Sequence, residues 1–161
     1  MNRTVGRETR VGTCPRAGRE AVRMTGLLGL TTYLMSSAGR NARASLAASV
    51  ARRGLRLWHV AVLEALVAAG SLAKGELAAR LDINPSDIVK VVDDLSGQGY
   101  LACTRSARDR RRIDVSVTPA GRALLAELSE ELAAVEADVL APLSDGERAQ
   151  LAELLGRLTA S

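Results

Sequence analysis

The most chemically capable stretch of this 161-residue chain is Ser106-Ala107-Arg108-Asp109-Arg110-Arg111-Arg112, four guanidinium groups around one carboxylate. Guanidinium forks match phosphate oxygens, and a narrow, electronegative nucleic-acid groove favours them. A stretch this basic is too polar to bury, so it belongs on the surface. The whole chain carries a net charge of +4, which permits a nucleic-acid partner without showing one. The charge is unevenly spread: residues 1–60 are net +9, residues 61–121 are neutral, and residues 122–161 are net −5. The two ends therefore do different jobs or meet each other; solvated helix faces account for the acidic end equally well.

Other reactive residues are sparse. Cys14 and Cys103 make no metal-spaced pair, and with one His in the chain a closed zinc site from a single chain is not expected. So few cysteines fit a reducing cytoplasm. There is no G-x-G-x-x-G after a strand, no P-loop, no HExxH and no GxSxG. No catalytic residue, metal or cofactor is expected. The run MTGLLGLTTYLMSSAGR faintly resembles a signal peptide, but its apolar part is short and no clean cleavage site follows. Glu64 interrupts the best membrane-span candidate, so no membrane partner is expected.

The elements that would carry the arginines follow from local patterns. Residues 1–23 hold six Arg, three Gly and one Pro with little apolar material, and read as a basic flexible arm. Residues 24–52 read as a helical region with Leu27, Leu30, Leu34 and Ala38 at helical spacing; Gly39 is a candidate bend. Gly54 is a helix stop, and Leu57 to Ala69 form a second helix, with Leu57, Val60, Ala61, Leu63 and Val67 on its apolar faces. Lys74 to Leu81 form a third, with Leu77 and Leu81 inward and Ile83 plugging the turn that follows.

Asn84 caps the next helix and Pro85 takes its first position. Ile88, Val92 and Leu95 fall on its buried face, while Ser86, Lys90 and Asp93 fall opposite, with Asp87 and Val89 on the flanks. Gly97 and Gly99 close it. Tyr100–Arg105 and Ile113–Val117 alternate as two strands around the basic stretch. Thr118 and Pro119 open a long helix striped by Leu124, Leu125, Leu128, Leu132, Val135 and Val139, ending by Pro142. Ser144 to Glu147 reads as a capping box for a last helix. Two short helices followed by a hairpin with a basic tip is the order of a winged helix-turn-helix. The expected fold is mainly α with a small β-hairpin wing. The divisions are 1–23 arm, 24–52 N-terminal dimerisation helix region, 53–121 winged helix-turn-helix and 122–161 C-terminal dimerisation helices. The apolar stripes at both ends are best buried against a second copy.

From about Leu27 to Leu158 the chain resembles the MarR family of bacterial transcription regulators. The resemblance rests on ELAARLDINPSDIVKVVDDLSGQGYL, on Asp109-Arg110-Arg111, and on Val117–Gly121 (VTPAG), in this order and spacing. It implies a cytoplasmic homodimer with two winged modules on one double-stranded DNA. It also implies a pseudo-palindromic operator, usually repression, and often release by a small aromatic or phenolic ligand or by oxidation. By that resemblance Pro85, Ser86, Asp87 and Lys90 face the major groove. Asp109 orients Arg111 into the minor groove, and Arg110 and Arg112, with Arg108 in the same wing, serve phosphates. Cys103 and Ser106 depart from the family's usual basic and acidic residues. Asp87 either accepts from cytosine N4 or serves the helix N-terminus.

The resemblance also places a ligand pocket near Tyr33, Ser37, Trp58 and His59; the alternative makes Trp58 a core anchor and His59 a satisfied helix residue. A redox sensor using Cys14, with Arg16 and Arg19 lowering its pKa, is a second reading within the same fold. A winged helix used only for protein contact is a third, opposed by the uncompensated wing arginines. A methyltransferase fragment lacks the dinucleotide-like domain that it would need.

Overall fold

The computed structural model describes residues 26–105 and 112–159. The arm at 1–23, Cys14, and the wing residues Arg108, Asp109, Arg110 and Arg111 lie outside the described residues. The chain divides into two compact units, the first ending at Ser36 and the second beginning at Ser37. In the first, Gly26–Gly29 forms a 3-10 turn, and Leu27, Leu30, Leu34 and Met35 are all exposed.

Helix α1 spans Thr31–Ala51. It runs through Gly39 without interruption, so the expected bend is not a break; one glycine costs a helix only about 1 kcal/mol. Then follow α2 (Leu57–Ala69), β1 (Ser71–Ala73), α3 (Lys74–Leu81), α4 (Pro85–Gly97), β2 (Leu101–Arg105), β3 (Ile113–Val117), α5 (Pro119–Val139) and α6 (Asp145–Thr159). The result is mainly α with a small sheet and a winged helix-turn-helix at its centre.

The sheet has three antiparallel strands in the order β1-β3-β2, where the sequence suggested two. The hairpin runs in register from Leu101 opposite Val117 to Arg105 opposite Ile113. The added strand pairs Ser71 with Ser116, Leu72 with Val115 and Ala73 with Asp114. Three residues are too few to display an alternating pattern, so this strand carries no sequence signal.

The core centres on α2, where Val60, Val62, Leu63, Ala65 and Leu66 are buried. Because α2 is covered on most sides, its apolar residues show no single stripe. Leu66 is fully buried, whereas Val67, expected inward, is 39% exposed. Val50, Leu55, Leu77, Ala78, Ile88, Val91, Val92, Leu95, Leu101, Val115, Val117, Leu124 and Leu128 complete the core. Val91 joins the expected buried face of α4. Ile113 shares a strand face with Val115 and Val117 yet is 51% exposed, and Cys103 is likewise exposed. Both lie toward the wing end of the hairpin.

The joints are fixed by local hydrogen bonds. The Asn84 side chain caps α4 by accepting the Ser86 N–H at 2.9 Å. Between α3 and α4, Asp82 adopts a left-handed conformation (φ 50°), and the Ile83 N–H reaches back to the Ala78 carbonyl at 3.0 Å. That 6→1 bond closes a Schellman-type end with Asp in the position usually held by Gly. Helix α4 closes the same way at Gly99 (φ 81°), where the Tyr100 N–H donates to the Leu95 carbonyl at 2.9 Å. Gly97 is the last residue of the helix.

Thr118 then ties two motifs together. Its hydroxyl donates to the Gly99 carbonyl at 2.8 Å and accepts the Gly121 N–H at 3.1 Å, capping α5. Ser144 opens α6 with half of the expected capping box: its N–H and hydroxyl both donate to Glu147 Oε2, at 2.8 and 2.7 Å.

Candidate nucleic-acid interface

Helix α4 divides its surface as a groove-reading helix must. Ile88, Val91, Val92 and Leu95 are buried, while Pro85, Ser86, Asp87, Val89 and Lys90 are exposed. The exposed charges are engaged locally. Lys90 Nζ sits 3.0 Å from Asp87 Oδ1. Farther along, Asp93 takes Lys74 at 2.8 Å and Asp94 takes Arg56 at 3.1 Å. The acidity of this helix is thus largely neutralised by neighbours on α3 and before α2.

At the wing, strands β2 and β3 pair as far as Arg105 and Ile113, and the arginine-bearing segment joins their ends. Arg112 is described: its guanidinium lies 2.6 Å from Glu76 Oε1 in the first turn of α3. Glu76 Oε2 also accepts the Ala73 N–H at 2.8 Å. That backbone bond, with Arg112 beside it, holds the Glu76 carboxyl below its usual range. Glu76, three residues after the N-cap Ala73, follows a recognisable capping spacing; its second role toward Arg112 has no sequence signal.

Of the residues expected around a ligand, Ser37, Trp58 and His59 do not line one common pocket. Tyr33 belongs to the first unit and is partly exposed. Trp58 is 39% exposed, with the Arg43 guanidinium 6.0 Å from its ring centre, so it is not a core anchor. It lines a shallow notch with Ala47, Leu55 and Leu57.

His59 faces inward and is only 2% exposed. Its Nδ1 accepts the Arg56 N–H at 2.8 Å, capping the start of α2. Its Nε2 lies 3.5 Å from Asp94 Oδ2, without a hydrogen bond. Burial pushes the imidazole below its ordinary pKa, the Arg56 charge adds to this, and Asp94 opposes it. His59 is thus neutral near pH 7, capping the start of α2 with its other nitrogen facing Asp94 of α4. Ser37 lines neither the notch nor the larger cleft. That cleft, roughly 890 Å³, lies between α1, α2, α5 and α6, with Leu46, Leu132, Leu140, Leu151 and Leu155 in its walls.

These features define a winged helix-turn-helix whose helix α4 turns a polar face outward. A family model for the MarR family matches residues 53–112. The HTH-type transcriptional repressor MdtR of Bacillus subtilis is 31% identical over 110 residues, covering 68% of this chain and 71% of that protein. The chain spans about half the length of two other curated relatives that it matches, 52% and 53%. The YusO protein of Bacillus subtilis superposes with a TM-score of 0.65 at 26% identity, covering 81% of this chain and 92% of that one. An Escherichia coli MarR mutant in complex with operator DNA has the same fold, with a TM-score of 0.68 at 18% identity, covering 79% and 91%. The chain belongs to the MarR family, whose named members among these relatives are transcriptional regulators and repressors.

Proposed function

We propose that this chain is a sequence-specific transcription repressor that binds a pseudo-palindromic operator as a homodimer and is released by a small-molecule ligand. The observation that carries this reading is the split surface of α4. Its buried side locks it onto the module, while Pro85, Ser86, Asp87 and Lys90 stand free of the core. In sequence, arginines 108, 110, 111 and 112 lie between β2 and β3, and by the family resemblance Asp109 orients Arg111. Related names support the reading: one relative is a repressor, and a protein of the same fold binds operator DNA.

The dimer is supported by uncovered apolar faces at both ends. Helix α6 buries none of its residues in the single chain, and Leu154, Leu155 and Leu158 are exposed, as are Leu27, Leu30 and Leu34. We assign residues 24–52 and 122–161 to dimerisation, residues 53–121 to DNA, and residues 1–23 to a basic arm. Among the described residues no helix is long and apolar enough to cross a membrane. For the ligand, the notch at Trp58 offers an aromatic ring between α1 and the start of α2.

A salt-dependent titration tests the DNA reading. It compares DNA from the gene's own upstream region, an unrelated duplex of equal length, and the Arg111→Ala variant. Preferential binding of the upstream duplex, weakened by the variant, supports it. Equal, weak and steeply salt-sensitive binding to both duplexes reduces it to basic-patch contact.

A further inference from the structure

On the outward face of α4 the polar side chains already have partners. Asn84 Oδ1 accepts both the N–H and the hydroxyl of Ser86, each at 2.9 Å. Asp87 and Lys90 hold each other at 3.0 Å. Between Ser86 and Lys90 stands Val89, 41% exposed, unlike Ile88, Val91 and Val92, which fill the core. At about 100° per residue, Val89 lies only about 60° from Ser86 around the helix. It therefore falls in the arc that the helix offers to a groove.

A scattered exposed valine is ordinary on a protein surface. Here it occupies a reading position, and valine is a poorer helix former than the lysine, glutamate or alanine that would suit a solvated site. In the major groove, thymine alone among the four bases presents a methyl group, and small apolar side chains contact it.

We infer that Val89 is a specificity-determining residue that packs on the 5-methyl of a thymine in each operator half-site. This rests on the DNA-binding reading above and deepens it. The Asp87–Lys90 pair fixes the polar flank of the helix, and Val89 supplies apolar discrimination that a hydrogen-bonding side chain in its place would not give.

The test starts by enriching duplexes from a random-sequence pool with the full chain. In the enriched duplex each thymine is then replaced in turn by deoxyuridine, which removes only the methyl. Wild-type protein is expected to lose about four-fold in affinity per half-site at one thymine position, the effect of one methyl-sized group left unburied. Val89→Ala is expected to lose the dependence on that methyl with an unchanged salt slope, and Val89→Thr, which keeps one methyl, to retain part of it.

Wild type and Val89→Ala responding alike to methyl removal at every position would overturn the assignment while leaving DNA reading intact. Failure of the wild type to enrich any sequence would overturn the DNA reading, and this inference with it.

Discussion

The Arg112 guanidinium and the Glu76 carboxylate meet at 2.6 Å, joining the point where the wing re-enters the sheet to the first turn of α3. The same carboxylate caps α3 through the Ala73 N–H. One side chain thus couples the position of the wing to the start of the helix-turn-helix. Its carboxyl is held below the usual 4.5 by the Ala73 bond first and by Arg112 second. Its stabilising contribution is therefore complete above pH 4.5 and disappears as the pH falls through the lower folded value. Urea midpoints measured from pH 3 to 7 are expected to fall less steeply below pH 4.5 in Glu76→Gln than in the wild type.

His59 acts in the other acidic window. Its folded pKa lies below 6.5, first through burial and then through the Arg56 charge. An unfolded chain takes up the proton as the pH falls through 6.5, and the folded chain resists, so stability declines from there toward the folded value. Protonation of Nδ1 would also remove the acceptor for the Arg56 N–H. In His59→Gln the third helix position keeps a side chain able to accept that N–H and does not titrate. Thermal melts at pH 7.5 and 5.5 are expected to differ less for His59→Gln than for the wild type.

Gly121 sits where a side chain has no room. A Cβ there would collide with the Tyr100 carbonyl oxygen and stand 2.8 Å from Val117 Cγ1. These belong to the backbone and the core, which yield little. Gly121→Ala is expected to destabilise the fold by about 2–3 kcal/mol, read as a lower urea midpoint with an unchanged m-value. A midpoint equal to that of the wild type would mean that α5 can move away from the sheet freely.

Leu158 is 64% exposed in the single chain, so its substitution leaves the subunit's own core untouched. If α6 packs on a second copy, Leu158→Asp buries an unpaired carboxylate there. Sedimentation is expected to show monomer at concentrations where the wild type is dimeric, with unchanged far-UV circular dichroism. A variant dimer as tight as the wild type would remove this part of α6 from the interface.

The sequence was most informative where one residue type has one physical use. Asn84-Pro85 marked the start of α4, Thr118-Pro119 the start of α5, and the 3.6-residue repeat found Ile88, Val92 and Leu95. It failed where tertiary surroundings decide. Three-residue β1 exists because β3 offers it an edge. Val67 is half-exposed while Leu66 is fully buried, because α2 is covered on most sides and shows no single apolar stripe. His59 and Glu76 acquire second neighbours, Asp94 and Arg112, from 35 and 36 positions away in the chain. The outward residues of α4 were legible from periodicity alone, whereas the cleft lined by α1, α2, α5 and α6 depends on how those helices cross.

In the proposed function, two copies of this chain read one duplex through α4 and the wing. The most direct measurement is hydroxyl-radical footprinting of the full chain on its own upstream DNA, with the stoichiometry determined in parallel. The prediction is two protected half-sites related by a two-fold axis, about one helical turn apart, with two chains per duplex. Protection spread uniformly along the DNA, or one chain bound to a single asymmetric site, would contradict it.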